Sequence, residues 1–186
     1  GDSGFFDDEG HLIYWDRVDE LLELKSGEKY SPQYIEIRLR FSPYIRDCMA
    51  VGGKTRDYIG SLINIDYGNV GRWAEKKRIA YTTFVDLSQK PEVADLIRSE
   101  IGKVNKDIPE FARVKRFVNL HKEFDPDEAE LTRTRKLRRT FVEDRYKDII
   151  ESLYQDKETI NVEAHVTYRD GRKGVIKTEI NVHSIE

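Results

Sequence analysis

The sequence of 186 residues has almost no cysteine, which disulfide-rich proteins need, and no long apolar stretch, which membrane proteins need. It contains a single cysteine, Cys48, which excludes a disulfide within the chain and a cysteine-rich metal site. No apolar stretch approaches the roughly 20 residues that a membrane-spanning helix needs, and no signal peptide is present. A reducing cytoplasm is therefore the expected compartment.

The sequence also lacks the motifs of several enzyme classes. Its four histidines are scattered without metal-ligand spacing, and we expect no metal site; they are His11, His121, His165 and His183. There is no Ser-His-Asp arrangement, glycine-rich phosphate loop or nucleophile elbow. The chain begins with Gly1 rather than methionine, so we expect that it was processed or cut from a longer protein. Alone, it is expected to be catalytically silent.

Charge is what the sequence has in abundance. Charged residues make up 36% of the chain, yet the net charge of −3 argues against a dedicated nucleic-acid binder, which is usually basic throughout. Residues 131–139, LTRTRKLRR, nevertheless carry five positive charges. Three interpretations of this run are open: a solvated loop, a nucleic-acid contact, or an anion site in which Lys136 is aimed at a phosphate or carboxylate.

The order of predicted elements indicates an α+β fold, in which helices flank a small mixed β-sheet and a β-hairpin ends the chain. Hydrophobic spacing predicts helices over residues 69–79, from 91 to before 109, and over 142–153. Alternation and turn residues predict strands within residues 5–16, 45–51, 58–66, 112–120, 162–168 and 176–182. The last two strands are expected to join at Asp170 and Gly171.

Residues 31–41 give two conflicting signals. Ser31 followed by Pro32 is typical of a helix N-cap and first helical position. From Ile35 to Phe41, however, apolar and charged residues alternate strictly, which is typical of a strand. The pattern alone favours a strand.

Two longer segments carry a resemblance. Residues 1–36, GDSGFFDDEGHLIYWDRVDELLELKSGEKYSPQYIE, have the form TGD…G…DR…GE…SP..IE without the first threonine, and residues 130–139, ELTRTRKLRR, have the form LTPT-x-K-x-(K/R)R. In this order and spacing they resemble the adenylate-forming superfamily, specifically the long-chain fatty-acid–CoA ligases (acyl-CoA synthetases). Arg133 departs from the usual proline, and Arg135 stands where related subfamilies place glycine. The family has a helix after Ser31, so we predict a helix there.

The resemblance implies roles for six residues. Lys136 would be the catalytic lysine of adenylation, Asp2, Arg17 and Lys29 would contact the nucleotide, Asp19 would be the hinge, and Gly27 would line the tunnel for the pantetheine arm of CoA. ATP and CoA are implied as substrates, with Mg²⁺ in the intact enzyme and none of them bound to this chain alone.

The resemblance also implies a division of the chain. Residues 1–18 would be the last hairpin of an absent N-terminal adenylation domain plus the junction, and residues 19–186 the mobile C-terminal domain. The partners would be that N-terminal domain, a fatty acid, ATP and CoA, but no nucleic acid. Without its sheet, the hairpin is expected to pack loosely or to pair with another copy through its open edge. The alternatives are an adenylate-forming ligase for an aryl or short-chain acid, and a stand-alone anion-binding or nucleic-acid-binding module.

Overall fold

The computed structural model describes residues 1–167 and 171–186, and these contain nine strands and six helices. The strands are β1 (Asp2–Phe6), β2 (Leu12–Arg17), β3 (Leu22–Glu23), β4 (Lys29–Tyr30), β5 (Ile45–Val51), β6 (Ile59–Ile65), β7 (Val114–Asn119), β8 (Thr159–Thr167) and β9 (Lys173–Ser184). The helices are α1 (Pro32–Leu39), α2 (Tyr67–Lys76), α3 (Phe84–Ser88), α4 (Pro91–Asn105), α5 (Arg139–Arg145) and α6 (Lys147–Ser152). Single 3-10 turns cover Val18–Glu20 and Glu110–Ala112.

Strands β5 to β9 form one mixed sheet in the order β5-β6-β7-β9-β8. Strand β6 pairs antiparallel with β5 and parallel with β7, and β9 pairs antiparallel with both β7 and β8. The α+β prediction, with its mixed sheet, flanking helices and C-terminal hairpin, is therefore confirmed. The predicted turn residue Asp170 lies outside the described residues.

Apolar side chains form a core on each face of this sheet. All seven residues of β6 are buried, as is typical of a strand that is covered on both sides. On one face the sheet packs against α1, α2 and α4, and on the other against α5 and α6. Each fully buried aliphatic side chain contributes about 1.5–3 kcal/mol by leaving water, so this burial fixes β5 and β6 as a rigid base. No helix in the described ranges is long and apolar enough to cross a membrane.

Helix α1 resolves the conflict over residues 31–41 in favour of the N-cap. The Ser31 hydroxyl accepts a hydrogen bond from the Tyr34 backbone N–H at 3.0 Å, and Pro32 is the first helical residue. Ile35 and Leu39, four residues apart, are buried, whereas Ile37 is 41% exposed. The alternation thus distributes apolar residues over two faces of a helix, and the strand that the pattern favoured is wrong.

The N-terminal hairpin of β1 and β2 forms a separate two-stranded sheet. Its inner face packs on the rest of the protein through Trp15, which is 7% exposed and whose ring centroid lies 5.0 Å from that of Phe5 and 6.3 Å from that of Tyr34 in α1. The expectation of loose packing is therefore wrong for this face. The outer face remains open, with Phe6 71% exposed. Pairing with another copy stays a prediction.

Candidate functional site

The basic run folds into a tight turn, which we call the lysine loop (residues 131–139). Leu131 and Leu137 pair across its base as an antiparallel bridge. Within the turn, the Thr132 N–H donates to the Lys136 carbonyl at 2.8 Å and the Arg135 N–H to the Thr132 carbonyl at 2.9 Å. The Lys136 N–H in turn donates to the Thr132 hydroxyl at 3.0 Å. Backbone hydrogen bonds thus close the turn and leave the Lys136 side chain exposed.

Arg135 has a left-handed backbone, with φ of 59°. This conformation costs a residue with a Cβ atom about 1–2 kcal/mol, whereas glycine adopts it freely. The departure from glycine at this position therefore leaves the turn intact but places a strained arginine immediately before the lysine.

Two arginines of the lysine loop are paired with carboxylates of the domain itself. The Arg135 Nη2 atom lies 3.0 Å from the Asp47 Oδ2 atom of β5. Arg139 pairs with Glu36 of α1 and donates to the Ala50 carbonyl of β5 at 2.9 Å. Burial raises the pKa of Glu36, and the nearby guanidinium of Arg139 offsets part of that rise. The loop is thus fastened to the sheet by its side chains.

Lys136 differs from these neighbours because its ammonium group is unpaired. Among the residues that the structure describes, no carboxylate lies within 4.0 Å of its Nζ atom. Arg138 stacks over the Phe141 ring at 5.5 Å. The arrangement neutralises part of the basic run internally and leaves the Lys136 side chain exposed to solvent.

Lys136 and the predicted hinge residue Asp19 line the same groove, which has a volume of about 590 Å³. Glu36, Asp47 and Arg139 also line it. Asp19 lies in the 3-10 turn that links the N-terminal hairpin to β3. The structure thus brings the proposed lysine and hinge to one side of the domain.

The predicted nucleotide contacts Asp2 and Arg17 face each other across the N-terminal hairpin, where they are register partners in β1 and β2. Arg17 Nε lies 3.8 Å from Asp19 Oδ1, and both side chains are largely exposed, so this pair contributes little to stability. The neighbouring Asp16 is buried and accepts a hydrogen bond from the Ser31 hydroxyl at 2.5 Å. Asp2, Arg17 and Asp19 therefore cluster at one end of the hairpin.

Gly27 lies in a second turn, which we call the glycine turn (residues 24–28), between β3 and β4. The Leu24 N–H donates to the Glu28 carbonyl and the Gly27 N–H to the Leu24 carbonyl, both at 2.9 Å. Gly27 has φ of 89°, and a Cβ atom added there would meet nothing within 4 Å. Glycine is required here by backbone conformation rather than by crowding. Neither Gly27 nor the exposed Lys29 lines the groove of Lys136.

The sequence did not predict the residues that support the lysine loop. Asp47 and Glu36 are examples, and Glu130 is a third: its buried carboxylate accepts hydrogen bonds from the Tyr146 hydroxyl at 2.6 Å and the Asp125 N–H at 2.8 Å. The Glu130 carbonyl accepts from the Arg138 N–H at 2.9 Å. The one sequence signal for such a role is Asp47, an acidic residue within the apolar stretch of β5.

His121 packs beside the residues that support the lysine loop: its ring centroid lies 6.4 Å from that of Tyr146, which donates to Glu130. Burial, followed by the nearby charge of Lys122, lowers the pKa of His121 to about 4. Within the described part of the chain, no group of histidine, cysteine, aspartate and glutamate is arranged to hold a metal ion.

Comparison with known sequences gives a consistent set of relatives. A family model described as AMP-binding enzyme C-terminal domain matches residues 19–158. The long-chain-fatty-acid–CoA ligase FadD15 of Mycobacterium tuberculosis is 28% identical over 155 residues, which cover 83% of this chain and 26% of that protein. The long-chain-fatty-acid–CoA ligase ACSBG1 of Rattus norvegicus is 30% identical over 177 residues, covering 84% and 24%. The chain thus spans about a quarter of the length of these relatives.

Solved structures show the same fold. The A domain of a carboxylic acid reductase from Segniliparus rugosus, in complex with AMP and a co-purified carboxylic acid, matches with a TM-score of 0.62 at 18% identity, over 83% of this chain and 22% of that one. The adenylation domain of a carboxylate reductase from Mycobacterium chelonae matches with a TM-score of 0.58 at 24% identity, over 81% and 24%.

Proposed function

This chain belongs to the AMP-binding enzyme C-terminal domain family, and from that premise we propose that it is the mobile lid domain of a fatty-acyl-CoA synthetase. The enzyme converts a fatty acid, ATP and CoA into acyl-CoA, AMP and pyrophosphate through an acyl-adenylate. We assign residues 1–18 to the last hairpin and junction of its N-terminal domain, and residues 19–186 to the lid. The start of the family match at residue 19 supports this boundary.

One observation carries the proposal: the exposed, unpaired ammonium group of Lys136 stands at the tip of a turn whose neighbouring arginines are engaged by Asp47 and Glu36. In adenylation, a fatty-acid carboxylate oxygen forms a bond to the α-phosphorus of ATP, and the bond from that phosphorus to pyrophosphate breaks. Two anions must approach, and negative charge builds on the phosphoryl oxygens. A cation placed between them lowers the barrier by positioning and by electrostatic stabilisation.

The glycine turn serves the second half-reaction, in which the CoA thiol attacks the acyl-adenylate and displaces AMP. Its bare backbone at Gly27 leaves room for the pantetheine arm. Gly27 lies outside the groove that Lys136 lines, and this separation supports two domain poses that present the two groups to the active centre in turn. Rotation about Asp19, which does line that groove, exchanges the lysine for the glycine turn.

The remaining predicted contacts belong to the nucleotide. We assign Asp2 to the ribose hydroxyls of ATP or acyl-adenylate, Arg17 to the same ribose and the nearby phosphates, and Lys29 to the phosphates. Their exposed side chains are accessible for these contacts. We place Mg²⁺ with the N-terminal domain, and we place the enzyme in the cytoplasm, where the buried Cys48 stays reduced.

The choice of fatty acids over aryl or short-chain acids is supported by the names of the sequence relatives, which are long-chain ligases. The internal pairing of Arg135 and Arg139 argues against a nucleic-acid-binding module, because those charges are already neutralised.

The test is Lys136→Ala in the complete enzyme that carries this chain. We expect adenylation, measured as fatty-acid-dependent pyrophosphate release, to slow by on the order of 10² to 10³. Thiolation, measured as acyl-CoA formation from supplied acyl-adenylate, should be largely spared. Arg133→Ala is the control, because it removes one charge from the same loop at an exposed position. Equal losses in both half-reactions would contradict the assignment.

A further inference from the structure

We propose that Arg135 is a positioning residue for Lys136: its ion pair with Asp47 fixes the lysine loop against β5 and thereby fixes the direction of the lysine side chain. This inference rests on the proposed function and adds to it a residue that the family pattern does not supply, since that pattern leaves the position unspecified and related subfamilies place glycine there.

The conformation of Arg135 first needs an explanation. A residue with a side chain and φ of 59° is uncommon, and such strain persists only where the surroundings determine it. The hydrogen bonds that the Arg135 and Lys136 N–H groups donate to Thr132 do not require an arginine side chain, because a turn with glycine at position 135 would make them equally well. The side chain must therefore account for the choice, and its guanidinium group contacts Asp47 at 3.0 Å.

Asp47 needs this partner as much as Arg135 does. It interrupts the apolar strand β5, and its side chain is only 12% exposed. A carboxylate so far removed from water is stabilised by an adjacent cation. Among the described residues Arg135 is the one cation within 4.0 Å of it, because the neighbouring Arg46 turns to Asp66 and Glu123 at 4.0 and 3.9 Å.

The pair acts on Lys136 because the two residues share a peptide bond. Lysine has a flexible four-carbon stem, so the position of its ammonium group depends on where its Cα atom is held. Arg135 fastens one side of Lys136 to β5 at Asp47, and Arg139 fastens the other side to the same strand at Ala50. The lysine is thus carried by a loop that is tied to the rigid sheet on both sides.

The experiment compares Arg135→Gly, Asp47→Asn and the double variant in the complete enzyme. Glycine adopts the left-handed backbone without strain and removes the whole arginine side chain, including the guanidinium group that contacts Asp47. We expect each single variant to slow adenylation about tenfold, since a misplacement of about 1 Å can cost about 100-fold and the Arg139 anchor, which remains, limits the displacement. The double variant should be no slower than the slower single variant, because both remove one interaction. Thiolation from supplied acyl-adenylate should be unchanged.

A second measurement does not depend on activity. In the 186-residue chain, hydrogen exchange at the Lys136 amide reports on the turn, because this N–H donates to the Thr132 hydroxyl. Exchange should accelerate in Arg135→Gly and in Asp47→Asn. Arg133→Ala, which removes the same charge from an exposed position, should change neither exchange nor adenylation.

Wild-type adenylation and exchange in Arg135→Gly would overturn the inference, as would an equal loss in both half-reactions. If Asp47→Asn fails to fold, Arg135→Gly still decides the question, because it changes an exposed residue. If Lys136→Ala adenylates at the normal rate, the proposed function is rejected together with the positioning role. If Lys136→Ala is slow but Arg135→Gly is not, the positioning role alone is rejected.

Discussion

The lysine loop and the glycine turn both contain a residue with a left-handed backbone, but different interactions stabilise the two turns. Each contains a left-handed residue, Arg135 in one and Gly27 in the other. The glycine turn is held by two backbone hydrogen bonds of its own, by a third from the Lys25 N–H to the Arg56 carbonyl at 3.0 Å, and by the freedom of its glycine. Its ion pair, Lys25 with Asp57, is largely exposed. The lysine loop accepts a strained arginine and is held by ion pairs to Asp47 and Glu36.

The difference follows from what each segment is proposed to present. A turn that offers bare backbone to a sliding ligand needs no buried ion pair, and the side-chain contacts of the glycine turn, Ser26 with Glu28 and Lys25 with Asp57, are exposed. A loop that must direct one ammonium group needs its Cα atom fixed to a rigid element, and β5 is that element here. The position of the Lys136 Cα atom is thus proposed to depend on residues of β5, which lie far away in sequence.

Among the variants that compare the lysine loop with the glycine turn, Arg139→Ala should lower the free energy of unfolding most. It removes the cation from Glu36, whose side chain is only 10% exposed, and leaves that carboxylate buried without its partner. We expect the free energy of unfolding to fall by about 2–4 kcal/mol in urea titrations. The matched control is Arg138→Ala, next in sequence and exposed, which should change it by about 0.5 kcal/mol or less. Equal losses for both would show that Arg139 is merely another surface charge.

A smaller effect should follow from pH. In the unfolded chain His121 gains a proton as pH falls below about 6.5, whereas in the folded protein its pKa is about 4. The folded state therefore loses stability as pH falls through this window, by about 1–2 kcal/mol between pH 7 and 5.5.

Urea titrations of wild type and His121→Gln at both pH values isolate the contribution of His121. Burial also lowers the pKa of His183 to about 4, but the loss of stability that His183 causes on acidification is the same in both proteins and cancels in the comparison. The variant should lose less stability on acidification than the wild type. Parallel curves would exclude a role for His121. Protection factors for hydrogen exchange, which correct for the slower intrinsic exchange at pH 5.5, should also fall more in the lysine loop than in the glycine turn, because His121 contacts Tyr146, which donates to Glu130.

The smallest effect concerns the glycine turn itself. Gly27→Ala should lower the free energy of unfolding by about 1 kcal/mol, because its cost comes from φ alone and the added methyl group meets no atom. Gly102→Ala within α4 is a control of opposite sign, since it also meets no atom but should stabilise the helix by about 0.5–1 kcal/mol. Thermal or urea unfolding measures both. A Gly27→Ala variant that is as stable as the wild type would contradict a cost from φ, and a loss of several kcal/mol would show that crowding contributes.

Most of the fold was predictable because local signals agreed with one another. The alternating residues of β8 and β9 predicted the C-terminal hairpin, and the stripe beginning at Val93 predicted α4. Where two local signals competed, as after Ser31, the cap decided, since it satisfies backbone donors that alternation does not address. Helix α3 was missed because its five residues are too few to display a period.

The candidate site was predictable only in part. Lys136, Gly27 and Asp19 were indicated by motif, and the structure describes where each of them lies. The partners of the lysine loop were not predictable, because Asp47 and Arg135 are 88 residues apart, and Glu36 and Arg139 are 103 residues apart. No local pattern specifies which of the 35 acidic residues of this chain meets which arginine. Only the folding of β5 beside α1 brings them together.

The packing of Trp15 has an optical consequence. Trp15 precedes Asp19 in the chain and Tyr34 of α1, which its ring contacts, follows it, so the proposed rotation about Asp19 would slide one past the other. The indole N–H has no hydrogen-bond partner in the described part of the protein, so separation exposes the ring to water and gives that group a partner. Trp73, the second tryptophan, lies in α2, within the proposed lid of residues 19–186. If the lid turns about Asp19 as proposed, the emission spectrum of Trp15 would report that rotation, and a Trp73→Phe variant would isolate its signal.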